Sequence, residues 1–287
     1  MIRETVNSQQ LSVEILQSLT SKLLMNTTLL ILDCIAISIG AGLIYGIFGG
    51  GSGLIMMPGF YYLLHHFALS EDYQMQVAIA TTAAVSVLLG ISATQVQWRN
   101  HLIDFNIFKK IAPGLLIGTF LAISLLNIIR SAYLKRLFGF FVILVAVWLG
   151  FYRSKQDKKI WSLSSSYNHI LSTIIGFLWF LLGIAVFTVP YLYKCGIDLR
   201  RSIGCATLTS TVFSGIAAVL LIFTGLFQVG FSNEHIGFVN LPLSALAIIP
   251  SAISAHFGSK ISIKLSKSHL KIIYVVLLYA IGFLMLL

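Results

Sequence analysis

The sequence predicts an all-α polytopic membrane protein made of two pseudo-symmetric, inverted repeats. Each repeat is a broken, glycine-rich segment plus three long transmembrane helices. Three observations carry that prediction. Of the 287 residues, 57% are hydrophobic and only 10% are charged, whereas a soluble domain carries about 25% charged residues. Several apolar runs reach about 20 residues, the length a helix needs to cross the hydrocarbon core. A set of glycine, proline and hydroxyl landmarks also occurs once in each half, in the same order.

Residues 1–27 precede the first crossing. Glu4 and Glu14, together with the late start of the apolar run, argue against a secretory signal peptide. Leu11, Ile15, Leu16, Leu19, Leu23 and Leu24 recur at helical spacing, which predicts an amphipathic, interfacial segment lying on the lipid bilayer. Residues 28–152 make the first transmembrane repeat. Its first crossing is expected over 28–48, with one acid, Asp33, near the start.

The run Gly49-Gly50-Gly51-Ser52-Gly53 follows. Glycine loses the most backbone entropy on ordering, so this run cannot hold a regular helix firmly. Open backbone in lipid leaves N–H and C=O groups unsatisfied, and it survives only where protein or a water-filled cavity surrounds it. The stretch from Gly49 to Pro58 is therefore the first candidate for a binding site. A piece over 54–67 is too short to span upright. His65, His66, Glu71 and Asp72 then mark a polar loop, and long helices are expected over 75–98, 108–128 and 134–152.

Residues 153–168 form a basic connector with Arg153, Lys155, Lys158, Lys159 and a serine run. The positive-inside rule places it in the cytoplasm. Residues 169–287 make the second repeat. An apolar segment over 169–192 contains Pro190, and a polar turn holds Lys194, Asp198, Arg200 and Arg201. Helices are expected over 202–227 and 236–261, then a basic loop, then a final helix to Leu287.

The halves match in detail. Val77-Ala78-Ile79-Ala80-Thr81-Thr82, leading to Ser86 and Gly90, corresponds to Ser202-Ile203-Gly204-Cys205-Ala206-Thr207, leading to Thr211 and Gly215. Pro58 corresponds to Pro190, Pro113 to Pro250, and Leu134-Lys135 to Leu270-Lys271. Thr82 and Ser86 share with Thr207 and Thr211 a four-residue step that puts both hydroxyls on one helix face. If each broken segment enters and leaves on one side, each half crosses an odd number of times and the halves are inverted. Secondary transporters of that architecture hold substrate at the repeat interface.

At these residues the sequence resembles the TauE/SafE family of membrane transporters, named for sulfite and sulfonate export. The resemblance rests on Gly-Ile-Phe-Gly-Gly-Gly-Ser-Gly-Leu-Ile-Met-Met-Pro from Gly46 to Pro58, on the Ala-Thr-Thr run, and on the repeat of both; it covers about residues 30–287. It implies transport of small sulfur-containing anions, such as sulfite, sulfoacetate or other organosulfonates, across the plasma membrane. The second half departs from the family pattern. Where a second glycine cluster is usual, residues 181–190 keep only Gly183 and Ala185 small.

The expected chemistry is an anion site made from backbone. A half-helix starting near Gly53 has first N–H groups without internal partners, and its dipole favours negative charge. Gly50, Gly51 and Gly53 would let an oxyanion approach those amides. Ser52, Thr81, Thr82, Thr207 and Thr211 could add hydroxyls, and Gly183 marks the matching position in the second half. The plainer alternative is packing, because small and hydroxyl residues are common at helix contacts in membranes. His256 and Asp33 are candidates for carrying a coupling ion, H+. Their plainer readings are a histidine bonded to a neighbouring helix and an interfacial aspartate.

Other classes are excluded or left open on stated grounds. The net charge of +10 is explained by basic cytoplasmic loops, and no basic motif interleaved with aromatics points to nucleic acid. Cys34, Cys195 and Cys205 have neither disulfide nor zinc-ligand spacing and read as small buried apolar residues. The glycine run follows no soluble strand and precedes no Lys-Ser/Thr, which excludes a phosphate-binding nucleotide loop. No nucleophile–base pair or metal-ligand cluster at depth suggests an enzyme, a metal or another cofactor. A non-transporting assembly or accessory protein, an anion channel and a homo-oligomer all remain open.

Overall fold

The computed structural model describes residues 27–66, 73–151, 166–182, 187–264 and 267–286. The expected surface segment, most of the basic connector and Gly183 lie outside these residues. Ten helices are described: α1 (Thr27–Phe48), α2 (Gly53–His66), α3 (Gln74–Arg99), α4 (Phe105–Leu126), α5 (Ser131–Phe151), α6 (Ser166–Leu182), α7 (Thr188–Lys194), α8 (Leu199–Gln228), α9 (Leu241–Lys264) and α10 (Lys267–Leu286). By length and composition, α1, α3, α4, α8 and α9 can each cross a membrane. Their outward faces carry exposed Leu29, Ile117, Phe120, Val219, Phe223 and Ile253. So wide an apolar exterior suits lipid and not water.

Sequence spacing places the helices within a few residues of their observed bounds, with two exceptions. The helix expected from Ile236 begins at Leu241, and a hairpin of β1 (His235–Ile236) and β2 (Val239–Asn240) precedes it. The cause is local. Gly237 takes φ +57, and a Cβ there would lie 2.3 Å from the Ile222 carbonyl oxygen. Asn240 then starts the helix by accepting the Leu243 amide through its side-chain oxygen at 2.9 Å. The second exception is Pro58, expected at the end of the broken stretch. It lies inside α2.

Close backbone approach organises the packing. A Cβ on Gly42 would fall 2.3 Å from the Ser251 carbonyl oxygen, and one on Gly46 would fall 2.2 Å from that of Ala255, so α1 lies directly on α9. In the same manner Gly118 of α4 approaches the Thr173 carbonyl of α6, and Gly176 of α6 approaches that of Leu115. Both are small-residue contacts of the membrane type. Helix α3 is central and packs on α2, α8 and α9, while α5 packs on α10 and α7 on α8.

The molecule has a basic end. There the 100–104 turn meets the start of α8, with Gly204 beside Leu102 and the Asp104 amide donating to Cys205 Sγ. The start of α6 joins it through Asn168, which donates to the Lys110 carbonyl at 3.0 Å. Helix α1 runs toward this end, since Gly46 lies beside Ser259 near the close of α9. Helix α2 runs back: Lys135, at the far end in α5, sits 5.7 Å over the Tyr61 ring. In the second half α6 leaves the basic end, and α7 returns to it, where the Tyr191 hydroxyl donates to Asn168.

Candidate functional site

The site begins where α1 stops. Gly49, Gly50 and Gly51 have φ of +77, +149 and +93, a region L side chains rarely adopt. The amides of Gly49 and Gly50 both donate to the Tyr45 carbonyl, at 2.9 and 3.0 Å, and close the end of α1. Leu54 then donates to the Gly51 carbonyl, and Met56 to that of Ser52 at 2.8 Å, which opens α2. Between these two sets stand the amides of Gly51, Ser52 and Gly53. No acceptor among the described residues takes them. They are the unsatisfied donors that every helix start leaves.

A cavity of about 30 Å³ lies against them, room for roughly two waters. Gly51, Ser52 and Gly53 line it, with Tyr45 of α1, Thr82 and Ser86 of α3, and Ser210 and Ser214 of α8. Met57, Ile79, Ala83, Trp179 and Phe180 form its apolar walls. None of the lining residues is charged. Ser52 and Ser86 share a hydrogen bond of 2.7 Å. Ser210 donates to the Gly49 carbonyl at 3.1 Å and holds the break in place. The Thr82 hydroxyl is buried and has no partner among the described residues. A buried hydroxyl without a partner costs about 1–3 kcal/mol, so its place beside the cavity is an observation that a ligand would explain.

The structure places the expected residues differently. Gly51, Ser52, Gly53 and Thr82 come together on the cavity. Gly50 is buried in the break behind them. Thr81, Thr207 and Thr211 are not brought to the cavity. The Thr81 hydroxyl accepts the Asn240 amide at 3.0 Å and so pins the hairpin to α3. Thr207 donates to the Ile203 carbonyl of its own helix at 2.9 Å. Thr211 pairs with the Tyr45 hydroxyl at 3.1 Å and with Thr94 at 3.0 Å. Gly183 lies outside the described residues. Asp33 is exposed on the second turn of α1, as an interfacial residue would be. His256 is half-buried in α9 and lines a separate cleft with Arg99, Lys260 and Lys264.

Sequence spacing missed Ser210 and Ser214. They repeat the four-residue step of Thr207 and Thr211, but three positions along, which turns the face by about 60°. Tyr45, Trp179 and Phe180 gave no signal, because only the fold carries them to the break.

Comparison with known proteins identifies the family. The family model described as sulfite exporter TauE/SafE matches residues 34–285. A protein of Haemophilus influenzae named "Probable membrane transporter protein" is 26% identical over 251 residues, 84% of this chain and 92% of its own length. A probable membrane transporter protein of Methanocaldococcus jannaschii is also 26% identical, over 86% of this chain and 91% of its own. One of Bacillus subtilis, named YunE, is 25% identical over 84% of this chain and 92% of its own. No solved structure matches. With almost the whole transmembrane region matched, the chain belongs to the TauE/SafE family of multi-pass membrane transporters.

Proposed function

We propose that this protein is a secondary transporter that carries a small sulfur-containing oxyanion, sulfite or an organosulfonate, across the plasma membrane. The anion binds at the Gly51–Gly53 amides, between two inverted repeats. One observation carries the reading: Gly51, Ser52 and Gly53, whose amides no acceptor among the described residues takes, and Thr82, whose hydroxyl has no partner among them, line one cavity with no charged residue in its described lining.

That donor set suits an anion that must also leave. The start of α2 supplies about half a positive charge, and amide and hydroxyl donors add directed bonds. A buried lysine would hold the anion more tightly, and its own burial would cost several kcal/mol. Admitting and releasing an anion requires the cavity walls to move. Met57 is a flexible side chain suited to that.

The repeat reading is supported by exchanged packing. Helix α1 lies on α9, and its counterpart pair is α6 on α4. Helix α2 packs on α3 as α7 does on α8, while α3 with α8 and α5 with α10 each map onto themselves. The two broken segments start from opposite ends and return to them, as inversion requires. The positive-inside rule assigns the basic end to the cytoplasm. Neither Asp33 nor His256 lines the cavity, so proton coupling through either would act at a distance from the anion.

Uptake and efflux of labelled sulfite and short sulfonates in proteoliposomes, with and without a proton gradient, tests the proposal. Saturable flux of one of these anions is the expected result. Absence of any anion flux from folded protein would overturn it in favour of an accessory role, and non-saturable, gradient-independent flux would favour a channel.

A further inference from the structure

We propose that the open cleft between the ends of α3 and α9 is a binding site for the phosphate of an anionic phospholipid. The cleft measures about 360 Å³, and Arg99, Asn100, His256, Lys260 and Lys264 line it, with Val96 and Ile263 as its apolar wall. It is distinct from the cavity at the glycine break, with which it shares no lining residue.

Charge is the first argument. Arg99 and Lys264 stand in the last turns of their helices, where cations offset the negative helix end. Two helix ends supply about one negative charge between them, so three permanent cations leave a surplus of about two. No carboxylate of the described residues lines the cleft. The two described acids at this end are engaged elsewhere: Asp104 accepts the amides that open α4, and Asp198 accepts the one that opens α8. Lys260 lies 5.9 Å over the Phe257 ring, a contact that keeps the side chain at the cleft and leaves its positive charge unneutralised.

Position is the second argument. Trp98 and Phe257 are each 55% exposed and Ile261 is 41% exposed on these same two helices. An exposed tryptophan beside a basic helix end is the signature of the membrane–water boundary. A phosphate in the cleft would therefore have acyl chains beside these apolar faces. Basic pockets between transmembrane helices on the cytoplasmic side hold lipid headgroups by this combination. A soluble oxyanion would use the cations and gain nothing from the apolar flank.

Native mass spectrometry of the full chain, with phosphatidylglycerol or phosphatidylcholine added to the detergent, tests the site. Phosphatidylglycerol should be retained and phosphatidylcholine lost. The R99Q/K260Q/K264Q variant should bind phosphatidylglycerol about a hundredfold more weakly, about fivefold per cation removed. The K109Q/K110Q variant, which removes exposed lysines of the same end outside the cleft, should bind as wild type. If the triple variant does not fold, K260Q and K264Q singly should each show the fivefold loss. Equal retention of both lipids, equal loss in both multiple variants, or full retention in the cleft variants would overturn the proposal. So would displacement of the lipid by inorganic phosphate or sulfite in modest excess, which would make the cleft a soluble-anion site.

Discussion

Two groups of glycines stand within ten residues of one another and do opposite things. Gly42 and Gly46 keep the helical backbone of α1 and yield their side-chain space to α9. Gly49, Gly50 and Gly51 give up the helix altogether, with φ between +77 and +149. Both groups look alike in composition. The first removes a side chain so that two backbones can touch, and the second removes it so that the backbone can turn and leave its amides open. A glycine cluster in a membrane helix is therefore a packing device or a site according to its torsions, and spacing alone hints at which. A regular four-residue step marks packing, and an uninterrupted run marks a break.

The sharpest way to break this comparison is to fill each group. Gly46→Leu should do the greater damage to the fold, because its Cβ would lie 2.2 Å from the Ala255 carbonyl oxygen and 2.6 Å from the Ser259 nitrogen, neither of which can yield. Overpacking of this kind costs about 3 kcal/mol, and a loss of monodisperse protein on size exclusion should report it. A variant that runs as wild type would show that α1 does not lie on α9. Thr82→Val should do the reverse. It removes a hydroxyl that has no partner among the described residues, so thermal stability should hold or rise by about 1 kcal/mol. Anion flux should fall about tenfold, the worth of one hydrogen bond to a charged group.

Smaller effects separate the threonines that spacing grouped together. Thr81→Val removes the acceptor of the Asn240 amide and should cost about 1–2 kcal/mol of stability, seen as faster hydrogen exchange at the hairpin. Thr207→Val removes a hydroxyl bonded only to its own helix and should change flux less than about threefold. A flux loss as large as that of Thr82→Val would return Thr207 to the site.

Acid should loosen the hairpin. Burial pushes the His235 imidazole below its ordinary value, against a smaller opposing pull from Glu234. The folded form thus favours neutral histidine, and the unfolded chain takes up a proton first. Stability conferred by that shift is complete above about pH 6.5 and declines as pH falls below it. Melting measured between neutral and mildly acidic pH should show the decline, and His235→Gln should flatten it.

Most helices were legible because long apolar runs have few other structures in lipid, and the break was legible because glycine cannot pay the ordering entropy of a helix. The hairpin before α9 was not. Ile236, Phe238 and Val239 are apolar enough to extend the helix, and only the contact of Gly237 with Ile222 turns the chain. The working face of α8 was equally hidden. Hydroxyls at 207, 209, 210, 211 and 214 wrap around that helix, so periodicity offers several faces and the packing of α8 on α3 selects one.

The open amides of the break can be tested directly. Gly51→Val forces a branched side chain onto a residue at φ +93 and crowds the amides that would hold the anion. Labelled sulfite flux should be compared in proteoliposomes carrying equal, folded amounts of wild type and variant. At least about a tenfold loss of flux with an unchanged elution profile is the predicted result; flux equal to wild type would contradict the account.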